Sequence, residues 1–112
     1  TPTWNEEFTI KVDFVSDSLI VGLFDYDRIG SNDQLGFMHI PIHDLNIGCI
    51  EDRWWVMHKV QGVNSQPELH LITQLVYKDQ PAWMPLNLLF IDCFIKVKCG
   101  ENLPKMDIDM SN

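Results

Sequence analysis

Asp25, Asp27 and Asp33 stand within nine residues of one another, in Asp25-Tyr26-Asp27-Arg28-Ile29-Gly30-Ser31-Asn32-Asp33. Carboxylates this close repel one another, so folding them together is unfavourable unless a cation joins them. Calcium suits such a set, because it takes about 6–8 oxygen ligands at about 2.3–2.6 Å and accepts carboxylates in one- or two-oxygen modes. The other reading is a solvated acidic turn, since Asp, Asn, Gly and Ser are also the residues any turn prefers. Spacing favours ligation: Asp25 and Asp27 project to the same side at the end of a strand with period two, and Asp33 can return across the loop mouth. An EF-hand does not fit. Asp25, Asp27 and Gly30 match its positions 1, 3 and 6, but Ile29 and Gly36 occupy positions 5 and 12, and the flanks read as strands.

The elements that must hold this loop are short strands. Phe8–Val12 alternates apolar and polar residues, and Leu19–Phe24 is apolar on both faces, the pattern of a central strand. Leu35–Ile42, Arg53–Lys59, Glu68–Tyr77 and Leu89–Lys98 complete six expected strands, with Cys93, Ile95 and Val97 on one face of the last. His43-Asp44-Leu45 suits a single helical turn. Residues 78–86 hold two prolines and no periodicity, as a linker does. Short strands divided by turn signals, with hardly a helical period, predict an all-β, antiparallel β-sandwich.

Composition narrows the function. The 112 residues amount to one domain, or a cut through a longer chain, and 46% are hydrophobic, as a packed core needs. A formal charge of −8 argues against nucleic acid and against constitutive attraction to anionic lipid. Cys49, Cys93 and Cys99 form no CxxC pair, consistent with reduced thiols in the cytoplasm. No apolar run approaches the roughly 20 residues of a membrane span. No nucleophile elbow, phosphate loop or separated acid and base carboxylates appear, so the chain is not expected to be an enzyme. His39, His43, His58 and His70 have no metal-ligand spacing and are expected at the surface, while Trp54 and Trp55 must face opposite sides of their strand.

Three landmarks together carry a resemblance. Thr1-Pro2-Thr3-Trp4-Asn5-Glu6-Glu7-Phe8 is similar to the "NPxWNExF" strand of the C2 domain family, the calcium- and lipid-binding β-sandwich modules of signalling and membrane-traffic proteins. Asp25-Tyr26-Asp27 with Asp33-Gln34-Leu35-Gly36 resembles its third calcium-binding loop, and Pro67-Glu68-Leu69-His70-Leu71 its closing strand. The tail, Ile95 through Asp107, resembles the family's opening strand and first loop, "LxVxVxxAxNLPxMD". The expected fold is therefore a C2-like Greek-key sandwich, incomplete or circularly permuted. Residues 1–77 form the back part of one domain, 78–88 a linker, and 89–112 either the start of a following tandem repeat or a strand folding back to complete the first.

The resemblance implies Asp25, Asp27 and Asp33 as calcium ligands, Asp107 as a first-loop ligand with Asp109 beside it, and Arg28 and Ile29 at the loop tip as membrane contacts. Three Asp and one Arg give the loop −2; one calcium brings it to zero and two to +2. It implies a calcium-switched, peripheral module on anionic phospholipid in the cytoplasm, with calcium-independent capture of protein partners as the alternative. A sandwich lacking strands also exposes sheet edges, which invite dimerisation or strand exchange.

Overall fold

A computed structural model describes residues 2–25, 33–60, 65–77 and 89–103. Over these, the alternating segments become β1 (Thr3–Asp13), β2 (Ser18–Asp25), β3 (Asp33–Pro41), β4 (Ile50–Val56), β5 (His58–Lys59), β6 (Glu68–Tyr77) and β7 (Phe90–Glu101). The helical turn expected after β3 is a 3-10 turn over Ile42–Asp44, closed by the Leu45 amide donating to the Ile42 carbonyl at 2.9 Å. The strands form two sheets, ordered β1-β7-β6-β4 and β2-β3-β5, and every pairing between them is antiparallel.

Alternation decides what each sheet buries. On β6, Leu69, Leu71, Thr73 and Leu75 face inward while His70, Ile72 and Gln74 stay half-buried on the other side. Ile91, Cys93 and Ile95 of β7 continue that inner row, and Leu19, Leu23, Met38 and Ile40 meet it from the second sheet in one core cluster. Each large aliphatic side chain fully buried in such a layer contributes about 1.5–3 kcal/mol. Burial also explains Cys93, whose thiol is pushed up to about 11 by desolvation.

Two expectations are corrected. The segment Arg53–Lys59 is not one strand: β4 pairs with β6 in the first sheet, while β5 pairs with β3 in the second. The chain changes sheets at the fully buried Met57, whose amide donates to the Pro67 carbonyl at 2.8 Å and whose carbonyl accepts from the Gln66 side chain at 2.9 Å. Nor is β2 central. Among the described residues it is the edge of its sheet, and Ile20 is 74% exposed. An apolar run shows that a strand could be covered on both faces, not that anything covers it.

The tail strand β7 lies between β1 and β6, pairing with β1 from Phe90 to Cys99 and with β6 from Ile91 to Glu101, each ladder carrying one irregularity between Val97 and Cys99. Its start is fastened by Asp13, which nothing local in the chain marks out. The Asp13 carboxylate accepts from the Ser16 hydroxyl at 2.7 Å, the Val15 amide at 3.1 Å and the Leu89 amide at 3.2 Å. The Phe14 amide in turn donates to the Leu89 carbonyl at 2.7 Å. At the other end of β7, Trp4 packs on Gly100, where an added Cβ would lie 3.2 Å from the indole.

Candidate functional site

The hairpin of β2 and β3 presents the acidic loop, and its register holds one irregularity. From Ser18↔Pro41 to Leu23↔Gly36 the pairing steps evenly, and then Phe24 pairs with Gln34 and Asp25 with Asp33. One extra residue of β3, Leu35, is absorbed between Leu23 and Phe24, so Leu35 and Gly36 are buried in succession. Gly36 is needed there, because a Cβ would stand 3.1 Å from the Pro67 ring. With even stepping, Asp25 would oppose Gln34. The bulge sets Asp33 opposite Asp25 instead, in keeping with the way bulges re-aim residues beside functional sites.

Two acidic residues at directly opposed positions are unfavourable in a bare sheet. Asp25 is half-buried and, among the described residues, has no ion-pair or side-chain hydrogen-bond partner. Two such positions cannot supply the 6–8 oxygens calcium takes, and no group of three or more His, Cys, Asp or Glu residues gathers among the described residues. Asp27, Arg28 and Ile29 lie outside them, as do Asp107 and Asp109. The chain leaves the described tail, however, at the same end as the hairpin mouth. Gly36 meets Pro67, Pro67 leads into Glu68, and Glu68 pairs with Glu101 at the close of β7. Asn102 is held there by a 2.8 Å hydrogen bond from its side chain to the Glu68 carboxylate.

The outer face of the larger sheet holds a second grouping. Trp54 and His70 are opposed across β4 and β6 and stack with ring centroids 4.9 Å apart, while His70 Nε2 contacts Asp52 Oδ1. Trp55 takes the other face as alternation requires, packing against the core with the Arg53 guanidinium 3.9 Å over its ring. His39, His43 and His58 are exposed as expected, but His70 is half-buried beneath Trp54. Only strand register could have revealed this grouping, since His70 lies 16 residues from Trp54 and 18 from Asp52 in the chain.

Comparison with known proteins agrees with this layout. The chain is 29% identical over 113 residues to "Synaptotagmin 1" of Drosophila melanogaster, covering 96% of this chain and 22% of that one. It is 29% identical over 110 residues to "Synaptotagmin-1" of Homo sapiens, covering 96% and 24%. To "Synaptotagmin-1" of Aplysia californica it is 32% identical over 56 residues, covering 47% and 13%. It thus spans a quarter or less of these relatives' length. No solved structure matches it. The C2 domain profile matches residues 1–57, the segment that contains β1, the bulged hairpin and β4. On that match and on its two antiparallel sheets, the chain belongs to the C2 domain family.

Proposed function

We propose that this chain docks on anionic phospholipid membranes in response to calcium. Asp25, Asp27 and Asp33 would hold the cation, with Asp107 and Asp109 approaching from the tail. The observation that carries the reading is the bulge at Leu35, which brings two acidic positions opposite each other at the mouth of the acidic loop. Family membership supports it, because the matched loop pattern is where the C2 resemblance implies calcium. A C2 domain is a binding module and not an enzyme. The bound ion would cancel the carboxylate repulsion and turn the loop's charge toward attraction for lipid phosphates. Arg28 would then meet headgroups, and Ile29 would add about 1.5–3 kcal/mol if buried in lipid. That is one arm of a two-signal anchor, so binding would be peripheral and reversible, at the cytoplasmic face. Among the described residues no helix is long and apolar enough to cross a membrane.

We infer further that the strand over 90–101 completes the sandwich of residues 2–77. Its register with β1 and β6 and its fastening to Asp13 support this, and so does the emergence of the tail beside the acidic hairpin.

Isothermal calorimetry with calcium, and co-sedimentation with phosphatidylserine vesicles, test the site. Heat on calcium addition and vesicle binding lost on chelation are expected. Both should fail in the Asp25→Asn/Asp33→Asn chain while its fold persists. Binding to vesicles or protein partners that ignores calcium would replace this reading with a calcium-independent interaction module.

A further inference from the structure

Among the described residues β1 pairs only with β7, which leaves its other edge open. This edge is long, and every residue from Asn5 to Lys11 is exposed. Phe8 and Ile10 lie opposite Ile95 and Cys93, on the core-facing row, yet remain 49% and 40% exposed. Among the described residues the second sheet has three strands against four, one of them only two residues long, and nothing in it covers the inner side of β1 at Phe8 and Ile10, while Val12 further along is buried. Natural edges are commonly blunted by charges on the inward row, by proline or by bulges. From Glu6 to Asp13 the register with β7 is unbroken; the inward row is Phe8, Ile10 and Val12, with an inward charge only at its start, Glu6, next to the irregularity between Thr3 and Glu6, and the charged Glu7 and Lys11 stand on the outer row.

We propose that the open edge of β1 pairs with the β1 edge of a second copy of this chain, antiparallel about a two-fold axis at Thr9. In that register Phe8 faces the second copy's Ile10 on the inner side. On the outer side Thr9 faces Thr9, and each Glu7 faces the other copy's Lys11. Within one copy, Lys11 already opposes Asp92, and Glu7 opposes Lys96. Each outer row across the joined sheets therefore reads Asp92, Lys11, the second copy's Glu7, the second copy's Lys96, alternating in sign over four strands. Sliding the pairing by two residues either way sets Glu7 against Thr9 or Asp13 and removes the alternation. Parallel pairing without a shift would bring like charges together. A two-fold interface must be complementary to itself, and this strand is so in the centred antiparallel register. The inference stands apart from the calcium reading and uses none of its residues.

Sedimentation velocity on the 112-residue chain over a range of concentrations tests it, with Glu7→Lys, Lys11→Glu and an equimolar mixture of the two. The wild-type chain should dimerise. Each variant alone, with two like-charge oppositions at the seam, should bind its own copy about tenfold more weakly. The mixture restores opposite charges at both positions and should recover wild-type affinity. A wild-type chain that stays monomeric would overturn the proposal and assign the edge to another partner. Variants that dimerise as wild type would overturn it too, as would a mixture that recovers nothing while both variants melt normally. As a measurement independent of those variants' folding, Thr9→Cys in a Cys49→Ser background should form a disulfide-linked dimer on oxidation. Its failure to cross-link under conditions where the dimer is expected would sink the register.

Discussion

At one end of the sandwich Asp13 and Asp17 share a turn; at the other, Asp25 and Asp33 oppose each other across a hairpin mouth. The first pair is closed by the protein's own donors. Asp17 accepts the Asp13 amide at 2.8 Å, and Asp13 accepts from Ser16, Val15 and Leu89. The second pair has a bulge that brings it together, and Asp25 has no side-chain partner among the described residues. Acidic residues whose oxygens are met by fixed N–H and O–H groups build structure. If the proposed calcium site is right, acidic positions brought together by a backbone irregularity instead build a place for a cation that arrives from outside.

The contrast breaks most easily at the strand that Asp13 holds. Removing residues 78–112 strips β7 from between β1 and β6. The loss of Ile91 and Ile95 alone forfeits about 3–6 kcal/mol, comparable with the roughly 5–15 kcal/mol of a whole domain. The shortened chain should lose its cooperative melt in circular dichroism. A sharp melt near that of the full chain would show that residues 2–77 do not need the tail.

Next in size is Asp13→Ala, which leaves the Leu89 and Val15 amides without their carboxylate. The melting temperature should fall by several degrees. Cys93, whose buried thiol sits at about 11, should become faster to label with a thiol reagent as the start of β7 loosens. The effect carries a pH signature. The Ser16 hydroxyl, helped by the Leu89 and Val15 amides and opposed by burial, holds the Asp13 carboxyl below its ordinary value of 3.8. A carboxylate whose folded pKa is depressed adds stability that is fully present above its unfolded pKa and is lost as the pH falls through the folded value. Wild type should therefore lose stability more steeply below about pH 4 than Asp13→Asn does. Parallel acid melts of the two chains would remove Asp13 from its role.

Much of this was legible in the residues. Period-two alternation located β6 to the residue, and the opposed faces of Trp54 and Trp55 followed from the same rule. The three C2 landmarks are enough to point to the family that the profile match shows. What escaped was long-range. Nothing local distinguishes Asp13 from any other Asp before a turn, because one of its donors, Leu89, is 76 residues away. The edge position of β2 and the sheet change at Met57 escaped for the same reason, since both depend on which strands lie beside them. Residue types alone suggest a cation site in the acidic loop, but Asp33 comes opposite Asp25 only through a one-residue bulge that alternation does not announce.

The smallest effect is also the most discriminating. If Asp25 and Asp33 await a cation, their opposition is a cost when the cation is withheld, and cross-strand pairs of this kind are worth about 0.2–1 kcal/mol. In chelator, Asp25→Asn should therefore melt at the same temperature as wild type or slightly above it, the reverse of Asp13→Asn. With calcium the order should invert, because a ligand that binds only the folded state stabilises the wild-type chain and has less hold on the variant. That crossing separates a binding pair from a structural one. A structural pair would lose stability on neutralisation in both conditions, and a merely solvated turn would gain or lose nothing from calcium. Thermal melts of Asp25→Asn and Asp13→Asn, each with calcium and with chelator, place the two ends of the sandwich on one scale. Wild-type and Asp25→Asn melts that respond to calcium alike would make the hairpin mouth no different from any other acidic turn.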